Sequence, residues 1–359
     1  MRYHLLGRSG LRVSELCLGT MTFGDDWGWG ADRATSQQIF EMFADAGGNF
    51  IDTANLYTNG TSERFVGEFI KADREAFVMA TKYTLTPTPN QPDGSERRPN
   101  MVGNHRKNMV QAVEHSLKRL DTDYIDVFYV HAWDYTTPVD EVMRAMDDLV
   151  RQGKVLYLAA SDTPAWISAE ANTRAELMGW SRFLGIQAPY SLLRRDLERS
   201  ILPAARHHGM SVLPWGILSA GILTGKFLDE YDDASRVNPQ VMETLGEEKV
   251  AVVREVVAIA QEIGKPPAQV AINWVRQQQH RAHIVPILGA RTQAQMQDNL
   301  ACLDWQLTQD QLDRLDTISD IDLGFPWTFT YRNPFVYGDT YDQLNIPPNQ
   351  RQIPTVRQT

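Results

Sequence analysis

Short apolar segments alternate with amphipathic segments along most of this chain, and this alternation limits the possible folds more than any other feature of the sequence. Strands that alternate with helical patterns form parallel βαβ units, and eight such units close into a barrel. We therefore predict an α/β fold, a (β/α)₈ or TIM barrel. The predicted strands span 16–18, 49–52, 77–82, 125–130, 155–160, 183–187, 211–215 and 284–287, and the helices that follow them span 35–46, 62–70, 105–120, 138–152, 164–178, 197–208, 247–263 and 292–301.

Several segments lie outside this regular pattern. Residues 1–15 are predicted to form an N-terminal β-hairpin that closes the bottom of the barrel. Residues 266–278 are predicted to form an extra helix before the last strand, because Pro266 suits a helix start. The long loops 84–104 and 216–246 are expected to be walls of the site, since long loops after strands lie on the catalytic face of a barrel.

The barrel is predicted to be one domain over residues 1–320, because a length of 359 residues suits one large barrel. Residues 321–359 are predicted to be an irregular C-terminal extension, partly packed near the active-site face. The alternative fold is a doubly wound open sheet, but no G-x-G-x-x-G motif follows the first strand.

The net charge of −10 argues against a nucleic-acid or anionic-membrane partner, so an anionic ligand has to be held by local cations. No apolar run is long enough to cross a bilayer, and the N-terminus lacks the apolar core of a signal peptide. The two cysteines, Cys17 and Cys302, match no disulfide framework or zinc spacing. We expect a cytoplasmic protein without a metal, either a monomer or a homo-oligomer.

Polar residues recur where the predicted strands end. Asp52 closes the second strand and Tyr57 follows five residues later, while Lys82 closes the third strand and His131 follows the fourth. The carboxyl ends of barrel strands converge on one face, so these four side chains are expected to meet there.

Carbonyl reduction needs residues of these types together, since it adds a hydride to carbon and a proton to oxygen. A tyrosine has an ordinary pKa near 10 and is a weak acid at neutral pH, but a neighbouring ammonium lowers this pKa. Lys82 can supply that charge, Asp52 can hold Lys82, and His131 can donate a hydrogen bond to the substrate carbonyl. The sequence therefore predicts a reductase of aldehydes or ketones with Tyr57 as the proton donor.

Three motifs, Phe50-Ile-Asp-Thr-Ala-Asn-Leu-Tyr57, Ala80-Thr-Lys82 and Val130-His131, closely resemble those of the aldo-keto reductase superfamily. The resemblance extends from about Arg8 to Thr317, and the superfamily's catalytic tetrad corresponds to Asp52, Tyr57, Lys82 and His131. It implies a (β/α)₈ barrel that binds an extended nicotinamide cofactor without a Rossmann fold and transfers hydride and proton without a metal.

The resemblance also implies a set of cofactor contacts. Position 162 is usually Asn in the superfamily, and the Asp162 found here, when ionised, can accept hydrogen bonds but cannot donate them. The residues implied for the nicotinamide end are Gly19, Thr20, Met21, Ser161, Asp162, Gln187 and Trp215, and those implied for the phosphates are Leu218, Ala220, Gly221, Lys226 and Arg236.

The adenosine end of the cofactor is implied to bind at residues 289–299. Arg291 lies beside a predicted helix start capped by Thr292, where a 2′-phosphate gains from both the cation and the helix dipole. Many NADP-preferring members carry Lys and Arg at two positions that are Gly289 and Gln295 in this chain. Because this chain lacks those two cations, the expectation of NADP(H) over NAD rests mainly on Arg291. The other implied contacts here are Asp298 and Asn299.

Trp27, Trp29 and Trp133 suggest a pocket for an apolar or aryl carbonyl compound. The pattern is most similar to the branch that contains aryl-alcohol dehydrogenases and potassium-channel β-subunits. This similarity leaves an alternative function, a cofactor-sensing regulatory subunit that turns over slowly. A metal-dependent barrel hydrolase is a third hypothesis, but it needs clustered ligands, and the eight histidines are scattered.

Overall fold

Eight parallel strands form a ring at the centre of the molecule, and helices surround it. The structure, a computed structural model, describes residues 1–86, 99–228 and 245–346. Neighbouring strands pair in chain order from β3 to β9, and β10 pairs with β3. The strands are β1 Tyr3–Leu5, β2 Arg12–Ser14, β3 Cys17–Gly19, β4 Phe50–Asp52, β5 Val78–Tyr83, β6 Ile125–Val130, β7 Val155–Ser161, β8 Phe183–Pro189, β9 Ser211–Trp215 and β10 Ile287–Leu288.

The helices form an outer layer and bury their apolar sides against the strands, so the predicted (β/α)₈ barrel is confirmed. The described helices are α1 Arg33–Asp45, α2 Thr61–Ile70, α3 Arg106–Leu120, α4 Val139–Arg151, α5 Ala165–Met178, α6 Ile201–His208, α7 Glu247–Ile263, α8 Pro267–Arg276, α9 Gln293–Leu300, α10 Gln309–Ile318, α11 Trp327–Thr330 and α12 Pro334–Tyr337.

The ring closes between β9 and the segment before β10. Ile284 forms a parallel bridge with Val212, and the Val212 and Val285 amides donate to the carbonyls of His283 and Val212. The predicted last strand, 284–287, is therefore shifted: regular pairing with β3 begins only at Ile287, because residues 284–285 pair with β9 instead.

The hairpin β1–β2 closes the N-terminal end of the barrel, as predicted. Leu6 and Val13 are fully buried in the cluster that fills the lower barrel. Gly7 has a positive φ of 53°, and a Cβ added there would lie 2.2 Å from the Leu184 carbonyl oxygen, so only glycine fits this close approach. The barrel interior is thus packed from below, which leaves the carboxyl ends of the strands as the open face.

The predicted helix at 197–208 is divided in two. A 3₁₀ turn covers Asp196–Arg199, and α6 begins at Ile201 after the non-helical Ser200. Pro203 explains the break, because it has no N–H to donate to the Arg199 carbonyl and its ring crowds that carbonyl in a continuous helix. The Arg199 carbonyl instead accepts a hydrogen bond of 2.8 Å from the Trp327 indole.

The described part of the C-terminal extension, residues 321–346, lies on the outside of the barrel. Its residues are half-buried or exposed, and none of them belongs to the core. Besides the Trp327 contact, Arg199 donates to the Asp322 carbonyl at 3.0 Å. The extension is thereby attached to the segment that follows β8.

Candidate active site

Four polar side chains meet at the carboxyl ends of β4, β5 and β6. The Lys82 amine lies 2.6 Å from the Asp52 carboxylate, 2.8 Å from the Thr53 carbonyl and 3.2 Å from the Tyr57 hydroxyl. The His131 ring contacts the Tyr57 ring edge-on, with ring centroids 5.9 Å apart and an interplanar angle of 83°. The structure therefore brings together all four residues expected for the tetrad.

A tight turn directs Tyr57 toward Lys82. Thr58, Asn59 and Gly60 all have positive φ, which is costly for the two residues that carry side chains. The Thr58 hydroxyl donates to the Phe23 carbonyl at 2.6 Å and accepts from the Ser62 amide at 3.1 Å. These bonds hold the strained turn and so set the direction of the Tyr57 side chain.

The charges of the cluster follow from burial. Burial alone would lower the pKa of Lys82, but Asp52 and Tyr57 outweigh it and raise that pKa, so the amine is an ammonium. Desolvation raises the pKa of Tyr57 above its ordinary value, and Lys82 only partly opposes this. Lys82 therefore lowers the pKa of Tyr57, as expected, but the larger effect of burial makes the net shift upward. The phenol is therefore neutral.

His131 is almost completely buried, and its amide donates to the Thr84 hydroxyl at 3.3 Å. Burial, followed by the charge of Lys82, lowers the pKa of His131 well below its ordinary value, so the imidazole is neutral. Its Nδ1 is buried and makes no hydrogen bond to the described residues. A neutral imidazole carries one N–H, which can serve as a hydrogen-bond donor.

Residues at the ends of β7, β8 and β9 extend the site to one side. Ser161 pairs in register with Gln187, whose amide donates to Asp52 at 2.8 Å and joins this group to the tetrad. The Trp215 indole is 38% exposed and donates to the Asp162 carboxylate at 3.4 Å. Trp215 therefore presents an aromatic face at the open end of the barrel, whereas a tryptophan that packs in the core would be buried.

The residues expected at the first strand end lie in two environments. Thr20 is fully buried and donates to the Asp52 carbonyl at 3.0 Å, and Gly19 has no room for a side chain because a Cβ would lie 2.7 Å from Ile287. Met21 is exposed, with 38% of its surface accessible. Only Met21 of this group has an exposed side chain.

The loop after β9 has an unusual backbone. Ser219, Ala220 and Gly221 have consecutive positive φ values of 48°, 56° and 92°, a run that side-chain-bearing residues rarely adopt. Lys226 is exposed and folds back so that its side chain lies near Gly221. Leu218 is half-buried against the core. The predicted phosphate residue Arg236 lies outside the described residues, as do parts of both predicted loop walls.

The expected adenosine residues lie around the start of α9. Thr292 caps this helix by accepting from the Gln295 amide, and Gln295 accepts from the Arg291 amide at 2.8 Å. Arg291 is half-buried and forms no ion pair with any described residue. Asn299 donates to the Gly289 carbonyl at 3.3 Å. Asp298, which is also expected to contact the adenosine end, accepts a hydrogen bond from the Gln269 side chain.

The three tryptophans expected in the substrate pocket lie on two loops, one after β3 and one after β6. Trp27 and Trp29 contact each other, with ring centroids 5.5 Å apart, in the loop after β3. Trp133 is buried after β6, and its amide lies 3.5 Å from the Asp162 carbonyl. Trp133 is thus next to the group at β7, while the Trp27–Trp29 pair is joined to the site through the Phe23–Thr58 bond.

A supporting network was not predicted from the sequence. The Asn104 side-chain amide donates to the Thr84 hydroxyl and to the Ala132 carbonyl, both at 2.9 Å. Its side-chain carbonyl accepts from the Asp134 backbone amide at 2.7 Å. Thr84 has a φ of 88°, a strained value for threonine. This network fixes the segments on both sides of His131. The sequence signal was the Asn and Asp content of the two loops, which also fits ordinary turns.

Within the residues that the structure describes, no three His, Cys, Asp or Glu side chains form a group that could hold a metal ion. None of the described helices combines the length and apolarity that a membrane span requires.

A parallel barrel that brings Tyr, Lys, Asp and His together at its open end defines a class of oxidoreductases that act on carbonyl compounds or alcohols. The family model described as "Aldo/keto reductase family" matches residues 15–320, which is most of the chain. The chain belongs to the aldo/keto reductase family, whose members use nicotinamide cofactors.

Several named relatives align along most of the chain. A norsolorinic acid reductase from Aspergillus flavus is 38% identical over 343 residues, covering 92% of this chain and 85% of that protein. An aryl-alcohol dehydrogenase from Pestalotiopsis microspora is 39% identical over 334 residues, covering 91% and 85%. An aryl-alcohol dehydrogenase [NADP(+)] from Phanerodontia chrysosporium is 38% identical over 340 residues, covering 89% and 86%. Oxidoreduction of carbonyl compounds or alcohols is therefore the activity class of this protein.

Proposed function

We propose that this protein reduces aldehydes and ketones to alcohols with NADPH and that Tyr57 donates the proton. The observation that carries the proposal is the position of Lys82, whose amine contacts the Tyr57 hydroxyl and the Asp52 carboxylate at the same time. This contact stabilises the phenolate that forms when Tyr57 gives up its proton.

Each member of the cluster has a distinct role in this reaction. The neutral Tyr57 hydroxyl transfers its proton to the carbonyl oxygen as that oxygen becomes negative, and Lys82 stabilises the resulting phenolate. The neutral His131 imidazole donates its N–H to the same oxygen and orients the substrate. Asp52 holds the ammonium in place and is itself held by Gln187. The nicotinamide, when bound, supplies the hydride.

Several residues suit a nicotinamide dinucleotide phosphate. The exposed Trp215 indole offers a stacking face, and Ser161 and Gln187 flank it at neighbouring strand ends. Lys226 and Arg291 are cations without a carboxylate partner in the described parts of the chain, which leaves both available to phosphate groups. The choice of NADP over NAD rests on Arg291 and agrees with the name of one relative, aryl-alcohol dehydrogenase [NADP(+)].

The substrate class that we propose is an apolar or aryl carbonyl compound. Trp133 lies two residues after His131, and its amide lies next to the Asp162 carbonyl, so this aromatic side chain is close to the residues that are expected to hold the carbonyl. Two of the relatives described above are named for aryl alcohols and one for norsolorinic acid.

The proposed function is tested by following the loss of NADPH absorbance with 4-nitrobenzaldehyde as the substrate. The same assay is run with NADH in place of NADPH. We expect turnover with NADPH, slower turnover with NADH, and loss of about 10²–10⁴-fold in kcat for Tyr57→Phe with NADPH binding retained. Wild-type activity in Tyr57→Phe would show that the proton donor is another group. Tight NADPH binding with slow turnover of every carbonyl compound would instead favour the sensor function.

A further inference from the structure

Asp162 places a carboxylate beside the exposed indole of Trp215. It follows the last residue of β7, and its φ of 41° turns the chain away from the strand direction. Its amide donates to the Gln187 carbonyl at 3.0 Å, and its Oδ1 accepts from the Trp215 indole at 3.4 Å. Three consecutive barrel strands thus contribute to one small group, which fixes the position of the carboxylate.

Desolvation raises the pKa of Asp162 above its ordinary value. The hydrogen bond from Trp215 and the charges of Lys82 on β5 and Arg194 after β8 act in the opposite direction and favour the carboxylate. The carboxylate in turn raises the pKa of Tyr57, so its charge acts across the catalytic centre. In its ionised form Asp162 therefore places a negative charge beside the proposed stacking residue, close enough to act on the proposed proton donor.

We propose that the Asp162 carboxylate makes the site bind the oxidised nicotinamide more tightly relative to the reduced one. The oxidised ring carries a positive charge, and the reduced ring, which holds the hydride, is neutral. A carboxylate beside the ring attracts only the oxidised form, whereas the carboxamide side chain usual at this position attracts both forms similarly. This inference rests on the proposed function, since it assumes that the nicotinamide lies against Trp215.

Two kinetic consequences follow. Tight binding of the oxidised cofactor lowers the concentration needed for alcohol oxidation, and it makes the same species a strong product inhibitor of carbonyl reduction. Opposite unit charges about 6 Å apart in a medium with an effective dielectric constant of about 40 change an equilibrium constant by about tenfold. Asp162 would then favour the dehydrogenase direction more than an asparagine would.

Asp162→Asn removes the charge and keeps the shape and the acceptor for Trp215. The variant is expected to fold, because asparagine tolerates positive φ at least as well as aspartate. The dissociation constants of NADP+ and NADPH are measured by isothermal titration calorimetry at pH 7.5 for the wild type and the variant. The matched control is Asp140→Asn, which removes an exposed carboxylate on the outer helix α4 that pairs with Arg174.

The quantity that decides is the dissociation constant of NADPH divided by that of NADP+. We expect this ratio to fall about tenfold in Asp162→Asn, and product inhibition by NADP+ to weaken, while Asp140→Asn keeps the wild-type ratio. A ratio within twofold of wild type in Asp162→Asn would overturn the inference even though both cofactors bind. Failure of the wild type to bind either cofactor would contradict the proposed function itself.

Discussion

The ionisation states of Tyr57 and His131 determine the pH range in which carbonyl reduction is possible. Tyr57 must be protonated, and its raised pKa keeps it so throughout the neutral range, with loss of the donor only as pH rises above its ordinary value of about 10. His131 is already neutral because its pKa is lowered, so it does not titrate near pH 6.5.

We therefore expect kcat/KM for the aldehyde, at saturating NADPH, to stay level from about pH 6.5 to about pH 10 and to fall only at higher pH. The measurement is a pH series of initial rates on the wild type and on His131→Gln. An acid limb with a midpoint near 6.5 in the wild type that is absent from His131→Gln would show that His131 titrates in the ordinary range, against the expected neutrality.

A single side chain, Arg291, is expected to decide between the two cofactors. A charge-assisted contact with a phosphate is worth about 1.5–3 kcal/mol, so Arg291→Ala should weaken NADPH binding by roughly ten- to a hundredfold. NADH has no 2′-phosphate, and its dissociation constant should change by less than about twofold. Fluorescence titration checks this, with Lys118→Ala, which removes an exposed cation from the outer helix α3, as the control. Equal weakening of both cofactors would remove Arg291 from the phosphate site.

The residue types that the reaction needs could be predicted, since Asp52, Tyr57, Lys82 and His131 occur at the strand ends in a combination typical of the family. The contacts that hold these side chains in place could not be predicted. The strained φ of Thr84 and the bonds of Asn104 depend on loops that meet only after folding. The net upward shift in the pKa of Tyr57 also depends on burial, which residue spacing does not give.

At the scale of elements, regular amphipathic helices were predictable and irregular junctions were not. The helix Glu247–Ile263 and the strand Ile125–Val130 have the predicted bounds, because their apolar periodicity is uninterrupted. Helix α10 was not predicted, although Thr308 and Gln311 form a capping box at its start. The break before α6 depends on Pro203, whose effect competes with the helical pattern around it.

The hairpin β1–β2 depends on one buried carboxylate. Glu15 pairs with Arg276 on α8 and with Arg2, both at 3.2 Å. Burial alone would raise the pKa of Glu15, but the hydrogen bonds from Arg2 and the charges of Arg276 and Arg2 lower it from 4.5 to about 2. A depressed pKa stabilises the fold above about pH 4.5, and this stability is lost as pH falls toward 2.

Glu15→Gln should therefore lower the free energy of unfolding by about 2 kcal/mol at pH 7, because solvent screens the exposed Arg2 partner, and make it less sensitive to pH between about 5 and 2. Urea unfolding at a series of pH values measures both effects. Glu68→Gln is the control, because its pair with Arg33 is half exposed and is worth about 1 kcal/mol or less. Equal losses in the two variants would mean that the hairpin does not depend on Glu15.

At the scale of the whole molecule, a buried ionic network joins distant parts of the chain. Arg195 and Arg281 both pair with Glu198, and the Arg195 guanidinium also donates to the Asp316 carbonyl at 2.9 Å. The Trp274 indole donates to the Asp316 carboxylate at 2.9 Å. Helices α8 and α10 are thus bound to the segment after β8, and we expect the described part of the barrel, up to about residue 320, to unfold as one cooperative unit.

We expect the extension after Asp320 to lie outside that unit. Its described residues bury no side chain completely, and a net contribution of about 1 kcal/mol is typical of one hydrogen bond such as Trp327 to the Arg199 carbonyl. A chain that ends at Asp320 should therefore unfold in a single transition, keep its NADPH affinity, and lose no more than about 2 kcal/mol of stability.

Circular dichroism during urea unfolding and calorimetric NADPH binding measure these quantities, with Trp327→Ala in the full chain as the matched control. The two variants should lose similar stability if the indole contact provides most of the attachment. A truncated chain that unfolds without cooperativity, or that no longer binds NADPH, would place the extension inside the barrel domain. In that case the half-buried aromatic residues of 321–346 would have to be counted with the core rather than with the surface.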